Sequence, residues 1–287
     1  MSLDTSTPQR AAIQLYKIID AYSAATGTSP FPIDVKQLAL NIAEQFKWPD
    51  PIVEVMPANI QKFEGALFSN DRGDKWMLAY NDKLASPGRI RFTMAHELGH
   101  YVLHRLKRAK FECGQKDVLN GLADEKNIEA QADQFASYLL MPLDDYRKQI
   151  TTMVDFDLLG KCAARYDVSL TAAALKWINF TEEKAVLISH NDGFINWAWS
   201  SLSAREAGAF FKTSQSPIEI PSGSVAAEES LKHERLGVQI PLSTWWPNAE
   251  EESQIREMKI SADQYGNILT LLVLPRLAKA WPKWRPR

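Results

Sequence analysis

Apolar positions over the first 180 residues fall mainly at intervals of three and four, the spacing of one helix face. The first such face is Ala12, Ile13, Tyr16, Ile19 and Tyr22, with Thr7 as N-cap, Pro8 at the first helical position and Gly27 closing the far end. A second helix starts at Asp34, with Gln37 as capping partner, carries Val35, Leu38, Ile42 and Phe46, and stops before Pro49. Short strands are predicted near residues 52–56, 63–69 and 76–81, and the turn Asn70-Asp71-Arg72-Gly73 makes a hairpin of the last two. Pro87-Gly88 breaks the chain before a third helix, whose Ile90, Met94, Leu98, Val102 and Leu103 predict a buried amphipathic element.

The stretch 112–126 is polar and glycine-bearing and reads as an ordinary surface connection, with a lid as the alternative. A fourth helix over 127–142 has the stripe Ile128, Ala132, Phe135, Ala136, Leu139 and Leu140 and ends at Pro142. Residues 143–179 are helical again. The helix–turn–helix order over 158–178 has no markedly basic exposed face, so it is read as packing against the core rather than as a nucleic-acid module.

Beyond residue 182 the pattern changes to short apolar runs. Runs at 185–188 and 194–199 flank Asn191-Asp192-Gly193, a strong hairpin signal. Further strands are expected at 237–240, 255–260 and 268–274, with a turn over 264–267 and a proline- and serine-rich loop over 216–224. The expected class is α+β: a mainly helical domain with a small sheet over residues 1–181, and an antiparallel α+β domain over 182–287. Trp197, Trp199, Trp245 and Trp246 are read as core or interface, and His190 and His233 as surface or loop histidines.

Composition adds bounds. A chain of 287 residues with 45% apolar content can hold two globular domains. Its formal net charge of −2 gives no electrostatic reason for nucleic-acid binding. The N-terminal MSLDTSTPQR lacks the apolar core of a signal peptide, and no run approaches the length needed to span a bilayer. Cys113 and Cys162 form no C-x-x-C pair and read as reduced thiols, so a cytoplasmic protein is expected. The tail PRLAKAWPKWRPR is the one basic segment and reads as a solvated terminus.

The chemistry lies in RIRFTMAHELGHY, residues 89–101. His96 and His100 are one helical turn apart on the same face, so both imidazoles can reach one zinc ion. Glu97 is placed beside the metal rather than on it, where it can take a proton from a water made acidic by the ion. This His-Glu-x-x-His spacing is the metalloprotease signature. Gly99, between the two histidines, suits close approach of another segment.

Two histidines under-coordinate zinc, so a third protein ligand is required. His104 lies eight residues from His96, too far along the axis to share the ion, and is read as a helix-end histidine bonded to last-turn carbonyls. A metzincin arrangement fails because Val102 and Leu106 occupy its positions. Glu129 and Asp133 lie one turn apart at the border of the fourth helix's stripe. Glu129 is expected as third ligand, and Asp133 as the partner of the far nitrogen of a ligand histidine. The alternative is two solvated carboxylates.

RFTMAHELGHYVLH followed by EAQADQFASYLLMP resembles the ImmA/IrrE-type metallopeptidase family, and FPIDVKQLALNIAEQF resembles the segment that precedes them there. The likeness covers roughly residues 30–145. It implies a zincin-like core, Zn2+ on His96, His100 and Glu129, and Glu97 as catalytic base. It also implies a protein substrate, such as a helix-turn-helix transcriptional repressor whose cleavage switches stress or mobile-element genes. Substrate is expected to pair with a strand edge within residues 63–81, with a purely structural hairpin covering the helix as the alternative. Tyr101, Tyr138 and His190 are the candidates for stabilising the oxyanion. Two readings compete: a non-catalytic regulator with a structural zinc, and a metal-dependent hydrolase of a non-peptide amide.

Overall fold

The computed structural model describes residues 2–59, 63–84, 86–113, 123–150, 153–249, 253–262 and 267–282. The chain is mixed α+β and divides into two compact units, Met1–Thr151 with Ala163–Ser169, and Thr152–Cys162 with Leu170–Arg287. This border differs from the one expected at 181/182, because most of the helical stretch 152–180 groups with the C-terminal sheet.

In the first unit, α1 (Pro8–Thr26) and α2 (Val35–Phe46) carry the predicted caps. The Thr7 side chain accepts from Arg10 N, Gly27 takes a left-handed conformation, and Asp34 accepts from Gln37 N. Strands β1 (Ile52–Pro57), β2 (Gly65–Ser69), β3 (Trp76–Tyr80) and β4 (Lys110–Cys113) form one sheet in the order β1-β3-β2-β4. The β2–β3 hairpin is antiparallel, whereas β1 runs parallel to β3. β4 is an addition to the predicted set, drawn from the polar connection after the third helix. It pairs antiparallel with β2.

That third helix, α3 (Pro87–His104), differs from expectation at its start. Ser86 caps it through Arg89 N and Pro87 opens it, so Pro87 begins the helix rather than breaking the chain before it. It is not amphipathic around the site either: the run from Ala95 to Val102 is buried throughout. A helix enclosed by a sheet on one side and helices on others has no solvent face to keep polar. Next comes α4 (Ala123–Leu140), which begins within the stretch expected as loop, of which residues 114–122 lie outside the described set. Its Ala132, Phe135, Ala136, Leu139 and Leu140 are buried as the stripe predicts. Contact between α3 and α4 is close because Gly99 has no side chain. A Cβ there would lie 3.0 Å from Phe135 Cδ1 and 3.2 Å from Ala132 Cα. The short α5 (Leu143–Gln149) places Asp145 to accept from Arg165 and from the Tyr166 hydroxyl.

α6 (Phe156–Tyr166) contributes to both units. In the second unit, α7 (Leu170–Ile178) packs on β5 (Lys184–Asn191) and β6 (Phe194–Ser200), with Trp177 and Ile178 buried. Short helices α8 (Leu202–Glu206) and α9 (Leu242–Trp245) flank strands β7 (His233–Pro241), β8 (Gln254–Ala262) and β9 (Asn267–Leu274). Their sheet is antiparallel throughout, in the order β6-β5-β9-β8-β7. Asp192 and Gly193 both have positive φ, the signature of a two-residue hairpin turn.

His190 is buried on β5 against the Thr270 hydroxyl rather than at the surface. The tail is tied down as far as Trp281, whose indole N–H donates to Glu206 O, with Ala278 and Ala280 buried before it. The expected turn over 264–267 and the last five residues fall largely or wholly outside the described set. No helix among the described residues is long and apolar enough to cross a membrane.

Candidate metal centre

Consecutive turns of α3 present His96 and His100, and α4 presents Glu129 across from them. One ligand atom from each lies within 4.8 Å of the other two. The two Nε2 atoms are 3.0 Å apart, His96 Nε2 is 3.1 Å from Glu129 Oε2, and His100 Nε2 is 3.3 Å from Glu129 Oε1. Donors about 2.0–2.1 Å from a tetrahedral ion are separated by about 3.3 Å, so this set fits a small cation such as zinc.

Charge distribution points the same way. Burial works to lower the His96 pKa, but the Asp133 and Glu129 carboxylates, with Glu97 nearby, push it up to about 10. Burial also penalises ionised Glu129, yet the His100 and His96 rings facing it hold its carboxyl well below the ordinary range. The pocket therefore favours positive charge between these groups. His100 behaves oppositely: burial lowers it to about 4, leaving a neutral ring able to offer a lone pair.

The surroundings fix the ligand rings. Asp133 Oδ1 lies 2.8 Å from His96 Nδ1, which directs Nε2 toward Glu129. Phe111 of β4 stacks on His100, with ring centroids 4.5 Å apart at 16°. Glu97 is fully buried beneath β2, where a Cβ on Gly65 would sit 2.7 Å from Glu97 Oε1 and 2.6 Å from Thr93 Cγ2. Gly65 is thus the residue that lets the sheet close over the glutamate.

All five residues singled out from the sequence, His96, Glu97, His100, Glu129 and Asp133, are brought into one cluster. His104 is placed differently from its expectation. It is 1% exposed and meets His100 and Gln131 rather than last-turn carbonyls. Its spacing of four from His100 was the available signal, masked by its distance from His96. Tyr101 is removed as an oxyanion candidate, since its buried hydroxyl donates to Asp50 O. Gly65 and Phe111 had no sequence signal, because both reach the site through strand pairing.

Fold and site together define a class: a mixed α+β domain in which a His-Glu-x-x-His helix and a carboxylate from a second helix can hold a metal ion. Residues 50–177 match the Peptidase_M78 family model, described as the IrrE N-terminal-like domain. That match supports an ImmA/IrrE-type family for the part of the chain it covers. No curated protein matches the chain.

Proposed function

We propose that the protein is a zinc-dependent endopeptidase with a zincin-like first domain, acting in the cytoplasm on a protein substrate. The observation that carries this reading is the tetrahedral spacing of the His96, His100 and Glu129 donors, with Glu97 buried beside them. A zinc ion held by those three residues would supply Lewis acidity, polarising the scissile carbonyl and acidifying the attacking water. Glu97 takes the proton of that water and returns it to the leaving amine. Asp133 keeps His96 in the tautomer that offers its Nε2 lone pair.

Peptide alignment by strand addition needs a free sheet edge. Both strands within residues 63–81 are interior, β3 between β1 and β2, and β2 between β3 and β4, so the expected edge is corrected. The edge beside the site is β4, paired on one side only among the described residues and carrying the ring that stacks on His100. Substrate is accordingly assigned to β4. A helix-turn-helix repressor is the substrate class that the family resemblance favours, and residues 182–287 are assigned to sensing or substrate recognition.

The test is incubation of the full chain with a co-encoded repressor, with and without chelator, followed by mass spectrometry. A single cleavage abolished by chelator and restored by zinc is expected. Glu97→Gln should keep one zinc per chain and lose about 10²–10⁴-fold in turnover. Unchanged cleavage by Glu97→Gln would refute the assigned base. Zinc binding without cleavage of any repressor, by wild type, would favour the non-catalytic regulator.

A further inference from the structure

His100 faces the candidate metal centre through Nε2, and its other nitrogen faces a row of polar groups leading away from it. His100 Nδ1 lies 3.1 Å from His104 Nδ1. His104 Nε2 lies 3.0 Å from Gln131 Oε1, and Gln131 Nε2 donates to Asn127 Oδ1 at 3.0 Å. Both rings are sequestered, His100 at 0% and His104 at 1% exposure, so their contacts with each other do not exchange for bulk water.

With Gln131 Nε2 facing Asn127 Oδ1, the row is followed from its outer end. Gln131 points its NH2 at Asn127, which leaves its carbonyl oxygen facing His104, able only to accept. His104 Nε2 must therefore carry a hydrogen. A neutral imidazole has one N–H, so His104 Nδ1 is a lone pair. The hydrogen between the rings then belongs to His100 Nδ1. That leaves His100 Nε2 as a lone pair, with His96 Nε2 at 3.0 Å as the donor facing it and Glu129 Oε1 at 3.3 Å, and a lone pair is the form in which imidazole binds a metal.

We propose that His104 and Gln131 are positioning residues that set the tautomer and ring orientation of His100. The role is distinct from that of Asp133, which serves His96, and it rests on the metal-centre reading given above. The two ligand histidines are thus held by different means: a carboxylate on the exposed side, and a neutral histidine–glutamine row on the buried side. Neutral groups suit the buried position, where a further unpaired charge would be costly. Both anchors, Asp133 and Gln131, sit on α4, the helix that also carries Glu129. One element therefore supplies the third donor and orients the other two.

The experiment has a metal-free arm and a metal arm. Imidazole 15N NMR of the metal-free full chain reads the His100 tautomer directly. We expect Nδ1–H in wild type and in His104→Asn, which retains an acceptor near the Nδ1 position, and loss of that single tautomer in His104→Leu. Chelator competition should then give zinc binding about 10–100-fold weaker for His104→Leu, and within about threefold of wild type for His104→Asn. An Nε2–H His100 in the metal-free wild type, or wild-type zinc affinity in His104→Leu, overturns the proposal. A wild-type chain with the expected tautomers that binds no zinc leaves the tautomer control standing and removes the metal-centre reading alone. If His104→Leu does not fold, Gln131→Leu at the half-exposed end of the row decides in the same two measurements. An unchanged tautomer and affinity there overturn the proposal.

Discussion

Replacing Gly99 by alanine sets two effects of opposite sign against each other. Removing a glycine from a helix interior favours the folded state by about 1 kcal/mol. Against that, the new methyl would lie 3.0 Å from Phe135 Cδ1, 3.2 Å from Ala132 Cα and 3.3 Å from Ala132 O. Carbon atoms rest about 3.5–4.0 Å apart, so α3 and α4 must separate by about half an ångström. Phe135 is fully buried and the Ala132 atoms are backbone, so neither can rotate aside, and overpacking of this kind costs about 1–3 kcal/mol. The net expectation is a loss of about 0–2 kcal/mol. Ala132 stands between Glu129 and Asp133, so the same displacement shifts the third donor and the His96 anchor together. A loss of about 1.4 kcal/mol in metal binding, tenfold in affinity, follows from modest misplacement. Urea unfolding of the metal-free protein and chelator competition measure the two quantities separately. A Gly99→Ala protein about 1 kcal/mol more stable than wild type, with undiminished zinc affinity, would refute the reasoning.

Gly65→Ala should lose activity on the order of 10²-fold with zinc still bound, because the methyl collides with Glu97 and Thr93 and misplaces the base. Turnover measured alongside zinc content checks this, and loss of zinc with activity would contradict it. Asp145→Ala should cost about 1–3 kcal/mol at neutral pH by removing the acceptor shared by Arg165 and Tyr166. Burial alone would raise the Asp145 pKa, but Arg165 and Tyr166 hold it below the ordinary 3.8. Its stabilisation is therefore present above about pH 4 and lost as pH falls through the folded value. Unfolding curves from pH 7 to 3 should show the gap between wild type and variant narrowing on acidification, and a constant gap would be inconsistent. Stripping zinc should lower the melting temperature, since a ligand at 100 times its Kd stabilises by about 2.7 kcal/mol. Scanning calorimetry with and without chelator reads this directly, and coincident transitions would exclude binding to the folded state.

Much of the site was legible because its logic is local. His96 and His100 share a helix face by spacing alone, as do Glu129 and Asp133, and an uncoordinated histidine pair demands a carboxylate from elsewhere in the chain. The caps at Thr7 and Asp34 were equally readable, since a side chain bonding an N–H three residues on needs no tertiary contact. His104 was misjudged for an instructive reason. Distance from His96 correctly excluded it as a common ligand, but its partners lie on α4, and no spacing within α3 reveals them.

By itself, then, the sequence determined which side chains are candidates for the chemistry and which helices present them, because helical periodicity and ligand chemistry act over a few residues. The tertiary structure decided which strand forms the edge beside the site, that Gly65 lets β2 close over Glu97, and that α7 joins the C-terminal sheet. It also decided that His104 and Gln131 line up on the far side of His100 from the candidate metal centre. Each of these depends on pairing or packing between segments distant in the chain, where the free energy comes from contacts that a linear pattern does not specify.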